Sequence, residues 1–129
     1  MLTSAEQDAD FAALLLPPIF RIFSLWQLTG AQQTTLLGLR DERTLCNWKG
    51  QPREAKLDRE VIERASYILG IYKSLQILLP DPVLADRWLV TPNGNLLFNG
   101  EAPLDHLMTG NVLDIAAVRN HLDAECAYC

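Results

Sequence analysis

The chain has 129 residues, 49% of them apolar and 21% charged, with 16 acidic against 11 basic side chains and a formal net charge of −5. That length suits one domain or two small ones; the apolar share is too high for a disordered chain, and seven glycines and seven prolines exclude collagen-like or low-complexity material. The acidic balance argues against generic polyanion binding, which rests on lysine and arginine.

Helix signals dominate. Residues 5–16 read as an acidic-started helix stopped by Pro17-Pro18, and a second helix is expected over 18–28, where Ile19, Phe20, Phe23 and Trp26 space an apolar stripe. The apolar run 11–28 is interrupted by Pro17, Pro18, Arg21, Ser24 and Gln27, short of the roughly twenty continuous apolar residues of a membrane span. A buried helical segment is expected there instead. Thr29-Gly30-Ala31-Gln32 has capping-box form, so a third helix is expected from that point to Gly38. Asp41 suits the cap of a fourth helix over 42–49, ended by Gly50. Residues 51–56, with Pro52 and mixed charge, read as a linker.

The longest element is expected over 58–79, between Asp58 as cap and Pro80 as stop. Val61, Ala65, Ile68, Tyr72, Leu75 and Leu79 form a seam at alternating spacings of four and three. Ile71 and Leu78 widen it, as suits a central helix touched on more than one side. Gly70 in its middle costs up to about 1 kcal/mol against alanine, so a close helix crossing is expected there. Asp81-Pro82 opens the next helix, with Leu84, Ala85, Trp88 and Leu89 as its buried stripe. Residues 91–100 contain Asn93-Gly94 and Asn99-Gly100 and read as a structured loop rather than a hairpin in this helical setting. A short helix over 103–108 and a last one, capped by Asn111 and reaching about residue 127, complete an all-α chain.

Charge is unevenly spread. Residues 1–16 carry three acids and no bases, 17–56 six bases and three acids, and 57–129 five bases and ten acids, so the segments net −3, +3 and −5. Cys46, Cys126 and Cys129 make no secretory disulfide framework. Cys126 and Cys129 have C-x-x-C spacing, but zinc would need His106 and His121 as well, and four-ligand sites seldom rest on a terminus. A reduced tail without metal is expected. Glu6, Asp8 and Asp10 stand where a signal peptide has its basic region, so a cytoplasmic location is expected. No glycine-rich nucleotide loop, zinc-protease motif or nucleophile elbow occurs in the sequence. Asp105-His106 comes nearest to a base with its orienting acid, and that pairing at a helix start is more often a cap. Neither catalysis nor a cofactor is expected.

Residues 31–50 set two short helices around a turn. Gly38 ends the first, Leu39 plugs the turn, Asp41 caps the second, and Leu45 and Trp48 face inward. Arg43, Thr44, Asn47 and Lys49 point elsewhere, and Arg40 lies in the turn. Arginine, threonine and asparagine near the start of a helix are residue types that reach base edges and phosphates. Gln32 and Gln33, at the start of the preceding helix, could reach backbone phosphates. An ordinary helical hairpin with a solvated face has the same spacing, and Asp41 with Glu42 would repel phosphate. The +3 balance of the segment favours DNA.

Taken in order, LLGL…ERTLCNWKG, LDREVIERASYILGIYKSLQILLPD, ADRWLVTPN and APLDHLMTGN…VRNHLDA resemble the Xre/MbcA/ParS family of bacterial antitoxins, over about residues 32–124. The resemblance implies two parts: an Xre-like helix-turn-helix region within 1–56, and a helical toxin-binding domain over 57–129 built on the long helix. It implies a partner toxin with a RES domain that degrades NAD⁺, blocked at its active site by the antitoxin. It also implies binding of the operon's own promoter by antitoxin or complex, and homodimers, since operator symmetry mirrors protein two-fold symmetry. Trp88 and Asn93 fall among the matched toxin-binding segments. Within the family the chain's end can reach the toxin pocket, which adds His121, Glu125, Tyr128 and Cys129 as toxin-binding candidates.

Some positions depart from the family pattern. Arg40-Asp41-Glu42 replaces a small or serine-containing turn, Cys46 and Asn47 stand where members often carry bases, and Ala102 stands where a serine cap is common. The acidic C-terminal part suits a partner whose basic groups line a site for an anionic dinucleotide. Two further readings fit the residues: a DNA-binding regulator without a toxin, and an interaction module with a degenerate helix-turn-helix.

Overall fold

The computed structural model describes residues 3–127. Its regular elements are helices: α1 Ser4–Leu25, α2 Gly30–Leu37, α3 Glu42–Gly50, α4 Arg59–Leu78, α5 Pro82–Arg87, α6 Pro103–Leu107 and α7 Val112–Ala127, with 3₁₀ turns at Pro52–Glu54 and Trp88–Val90. No strand occurs among the described residues. The chain divides into two units, Met1–Ala65 and Ser66–Cys129.

In the first unit, a single helix stands where the proline pair suggested two. α1 starts on a capping box between Thr3 and Glu6 and carries Pro17 and Pro18 inside it. An interior proline removes a backbone hydrogen bond and crowds the carbonyl four residues earlier, at roughly 3 kcal/mol. Both prolines are exposed, and the carbonyls they leave without donors belong to half-buried Ala13 and to Leu14, which is 76% exposed. Ala12, Leu16, Ile19, Phe23 and Trp26 are all buried and keep spacings of four and three straight through the pair. Burial of that continuous stripe outweighs the two missing bonds.

α2 and α3 start as their local signals require. Thr29 and Gln32 form a capping box, with the Thr29 hydroxyl accepting from Gln32 N–H at 3.1 Å and Gln32 Oε1 accepting from Thr29 N–H at 2.9 Å. Asp41 caps α3 by accepting from Thr44 N–H at 2.9 Å. Residues 51–56 are a packed segment rather than a linker. Ala55, 6% exposed, shares a core with Ala12 and Leu16, ringed by Phe20, Trp48 and Leu57, and Arg53 pairs with Asp10 of α1. One small apolar residue among charges was too faint a signal to show this in sequence.

The turn between α2 and α3 depends on Gly38, which has φ +68°. Leu39 N–H returns to Thr34 O at 3.0 Å, the bond that closes a left-handed helix end. A Cβ at residue 38 would lie 2.7 Å from Arg64 Nε and 2.9 Å from its Cζ. Arg64 is 5% exposed. Its Nη1 donates to Leu36 O at 3.3 Å and Thr35 O at 3.4 Å, carbonyls of the last turn of α2.

In the second unit, Gly70 of α4 admits Arg119 of α7: a Cβ there would meet Arg119 Nε at 2.9 Å and Cγ at 3.1 Å. This is the close crossing that the mid-helix glycine suggested. Arg119 also lies over the Tyr67 ring at 5.8 Å and pairs with Asp123 at 3.0 Å. Ser74 donates to Asp123 at 3.2 Å. Ala85 and Leu89 are buried as expected, whereas Leu84 is 58% exposed. The reason is geometric: Ala85 and Leu89 lie four residues apart on one side of α5 and the 3₁₀ turn that follows, and Leu84, one residue before Ala85, is turned about 100° off that line. Asn111 caps α7 by accepting from Leu113 N–H at 2.9 Å. Among the described residues no helix is long and apolar enough to cross a membrane.

Gly38→Ala is expected to lower the unfolding free energy by about 2 kcal/mol, the upper end of the cost of left-handed backbone in an L-residue, because Arg64 must also shift. Urea denaturation measures this as a lower midpoint. Gly38→Asn eases the backbone term but brings the same Cβ against Arg64, so it is expected to recover less than half of the loss.

Candidate functional site

The second unit contains a cleft of about 300 Å³ with an apolar floor and a polar rim. Leu75, Leu78, Leu79 and Leu122 form the floor; Trp88, Asn93, Asn95, His121 and Glu125 complete the lining. Four of the residues proposed from sequence for toxin contact, Trp88, Asn93, His121 and Glu125, are thereby brought together from three separate parts of the chain. Tyr128 and Cys129 lie outside the described residues.

Phe98 shapes this cleft from behind. It is 3% exposed, and its ring meets Trp88 at 5.6 Å, His121 at 5.6 Å and His106 at 5.9 Å, each edge to face. That geometry sets ring edges against the negative face of the neighbouring π system and is favourable beyond area burial. His106 Nε2 lies 3.7 Å from Asp114 Oδ1, and the Thr109 hydroxyl donates to Asp114. His106 is therefore packed between an aromatic ring and a carboxylate.

The loop carrying Asn93 and Asn95 is closed by its own bonds. Asn93 N–H donates to Glu101 O at 3.0 Å, and Gly100 N–H donates to Asn93 O at 2.9 Å. Two side-chain turns follow, with Asn93 Oδ1 accepting from Asn95 N–H at 2.9 Å and Asn95 Oδ1 from Leu97 N–H at 3.0 Å. Asparagine is well suited to bonding the backbone two residues on. Asn95 and Phe98 were missed in sequence, although the Asn-Gly-Asn run carried a turn signal.

In the first unit, α3 exposes Arg43, Asn47 and Lys49, with Arg40 exposed in the turn before it. Lys49 Nζ sits 5.5 Å from the Phe20 ring centroid. Thr44 is half-buried and its hydroxyl donates to Asp41 Oδ1 at 2.9 Å, so it serves the cap. Gln32 is half-buried, with its Oε1 engaged at the start of α2. Gln33 departs from the expected phosphate-facing role: it is 7% exposed and its Nε2 donates to Leu28 O at 2.8 Å. Its position three residues into α2 turns it toward the preceding chain rather than outward.

Two acids flank these bases. The Asp41 carboxyl is held below the ordinary carboxylate range by Thr44 N–H and by the Thr44 hydroxyl, with Arg40 and Arg43 adding to the effect. The cap is thus fully charged at neutral pH, and its contribution fades only as pH falls through that lowered value. The Glu42 carboxylate packs on Gly30, where a Cβ would lie 3.0 Å from Oε2. It therefore sits at the N-terminal end of α2, which favours negative charge. Among the described residues no His, Cys, Asp and Glu cluster could hold a metal ion.

Charge separates the units as well. Met1–Ala65 has eight bases and nine acids; Ser66–Cys129 has three bases and seven acids.

Two family models match the chain. The antitoxin Xre-like helix-turn-helix domain matches residues 8–70, and the antitoxin Xre/MbcA/ParS C-terminal toxin-binding domain matches residues 74–125. Among curated proteins the chain is similar to "Uncharacterized protein y4oB" of Sinorhizobium fredii (strain NBRC 101917 / NGR234), 36% identical over 123 residues, covering 95% of this chain and 92% of that protein.

Phe98→Ala removes the ring around which Trp88, His106 and His121 are set. It is expected to cost about 3 kcal/mol, as for a buried phenylalanine truncated to alanine, and to alter the near-UV circular dichroism of the aromatic cluster. Thermal unfolding followed by far-UV and near-UV circular dichroism checks the two effects together.

Proposed function

The chain belongs to the Xre/MbcA/ParS family of antitoxins, and from that membership we propose that it neutralises a RES-domain toxin that degrades NAD⁺, by seating its C-terminal unit over the entrance to the toxin's active site. The observation that carries this reading is the convergence of Trp88, Asn93, His121 and Glu125 on one cleft. A half-buried tryptophan beside an apolar floor is the kind of surface in which interface energy concentrates. The acids of this unit complement the basic groups that a site for an anionic dinucleotide requires, and such complementarity acts mainly on encounter rate and specificity. On this reading the antitoxin works by occupying a surface and makes or breaks no covalent bond.

The helix-turn-helix supports a second role, repression of the antitoxin's own operon from a cytoplasmic homodimer. Arg43 and Asn47 on the exposed face of α3 would read base edges, and Arg40 and Lys49 would meet phosphates. Gln33 and Thr44 are left out of this role by their hydrogen bonds. Three bases against Asp41 and Glu42 give little net positive charge, so each subunit would contribute weak contact and two-fold pairing on a palindromic site would supply the rest.

Co-expression with the adjacent gene, pull-down and an NAD⁺ assay test the first role. The wild-type chain is expected to co-purify with that gene's product and to abolish its NAD⁺ loss; absence of both overturns the reading. Trp88→Ala is expected to weaken the complex by about thirtyfold, the scale of an interface hot spot.

Binding of the chain's own upstream DNA, measured against salt, tests the second role. Arg43→Ala should weaken it and lower the salt slope by about one, whereas Glu42→Gln should strengthen it severalfold by removing a charge that opposes phosphate. If the upstream DNA is not bound even at low salt while the toxin is held, the chain is an interaction module with a degenerate helix-turn-helix.

A further inference from the structure

We propose that the loop over residues 93–101 is a specificity determinant of the toxin-facing surface, with Leu96 as an apolar knob that enters a socket on the toxin. This rests on the antitoxin reading above. Leu96 is 96% exposed, although its neighbours are firmly placed: Asn95 lines the cleft, Leu97 is half-buried and Phe98 is buried. The loop is closed on both sides of Leu96 by the Asn93–Glu101 and Asn93–Gly100 backbone bonds, and Phe98 N–H also donates to Asn95 O at 3.0 Å. The two asparagine side-chain turns run directly into and out of residue 96.

A leucine on a loose loop would lose much of its binding gain to the entropy of ordering that loop. Here the loop is already ordered, so the gain from burying the side chain is retained. Leu96 directly follows Asn95, which with Asn93 lines the cleft, and the matched toxin-binding domain covers the whole loop. The other exposed apolar side chains of this unit, Ile77, Val83, Leu84, Val90 and Leu113, are 51–71% exposed, and none of them directly follows a cleft-lining residue in a loop closed by its own hydrogen bonds. The occupant that fits is a toxin surface with an apolar socket rimmed by basic groups, because this unit carries seven acids against three bases.

The test measures affinity of the full-length chain for the purified product of the adjacent gene. Full burial of a leucine corresponds to roughly 10- to 100-fold in affinity, so Leu96→Ala is expected to weaken binding by that factor, chiefly through faster dissociation. Because the side chain is exposed in the free protein, the melting temperature and far-UV spectrum should not change. Leu96→Met, similar in volume and apolar, should bind within about threefold of wild type. The inference is overturned if Leu96→Ala binds within about twofold of wild type. It is equally overturned if the substitution instead changes the oligomeric state of the free chain, which would assign Leu96 to a contact between copies. A wild-type chain that does not bind at all overturns the antitoxin reading together with this one.

Discussion

Arg64 lies with its charge beneath the C-terminal end of α2, in the space that Gly38 leaves by having no side chain. Taking a guanidinium out of water is costly unless its donors and charge are met. Here Nη1 donates to the carbonyls of Thr35 and Leu36, the negative end of a helix favours the cation, and Glu60 stands 3.7 Å from Nη2. The geometry runs in one direction: α4 supplies the arginine, the arginine requires the glycine, and the glycine gives the turn its left-handed backbone. The path of the chain into α3, and hence the direction of Arg43 and Asn47, depends on that sequence of constraints. A change at Gly38 or Arg64 would therefore reach the exposed face of α3, which neither residue is part of.

What could be read from the sequence was local. The starts of α2, α3, α5 and α7 are set by Thr29 with Gln32, Asp41, Asp81 and Asn111, each bonding a backbone N–H within three residues. Such signals need no knowledge of the rest of the molecule. Pro17-Pro18 is the opposite case. The local rule stops a helix there, and only the buried stripe from Ala12 to Trp26 shows why the helix continues. Its spacing was present in the sequence, but proline carried the stronger local signal. Ala55 and Gln33 were illegible for a related reason. A lone alanine among charges and a glutamine on a helix do not show that a neighbouring segment will cover them.

The cleft was legible only in part. Trp88 and Asn93 could be proposed from family order, and His121 and Glu125 from the reach of the chain's end within the family, yet nothing in their spacing says that they meet. They meet because Phe98, buried inside a loop of polar turn residues, holds Trp88 and His121 on two of its edges. One aromatic residue within Asn-Gly-Asn-Leu-Leu-Phe-Asn-Gly reads as incidental until its partners are known. Its placement explains why this irregular segment is ordered despite lacking secondary structure.

The bulk charge of −5 says little about function because the two units differ so much. The first is nearly balanced, with Arg40, Arg43 and Lys49 exposed on or beside α3; the second is strongly acidic. Charge gathered on one unit acts on an approaching partner only within a Debye length, roughly 8 Å at physiological salt. Each unit therefore presents its own balance to whatever approaches it, and the whole-chain figure describes neither.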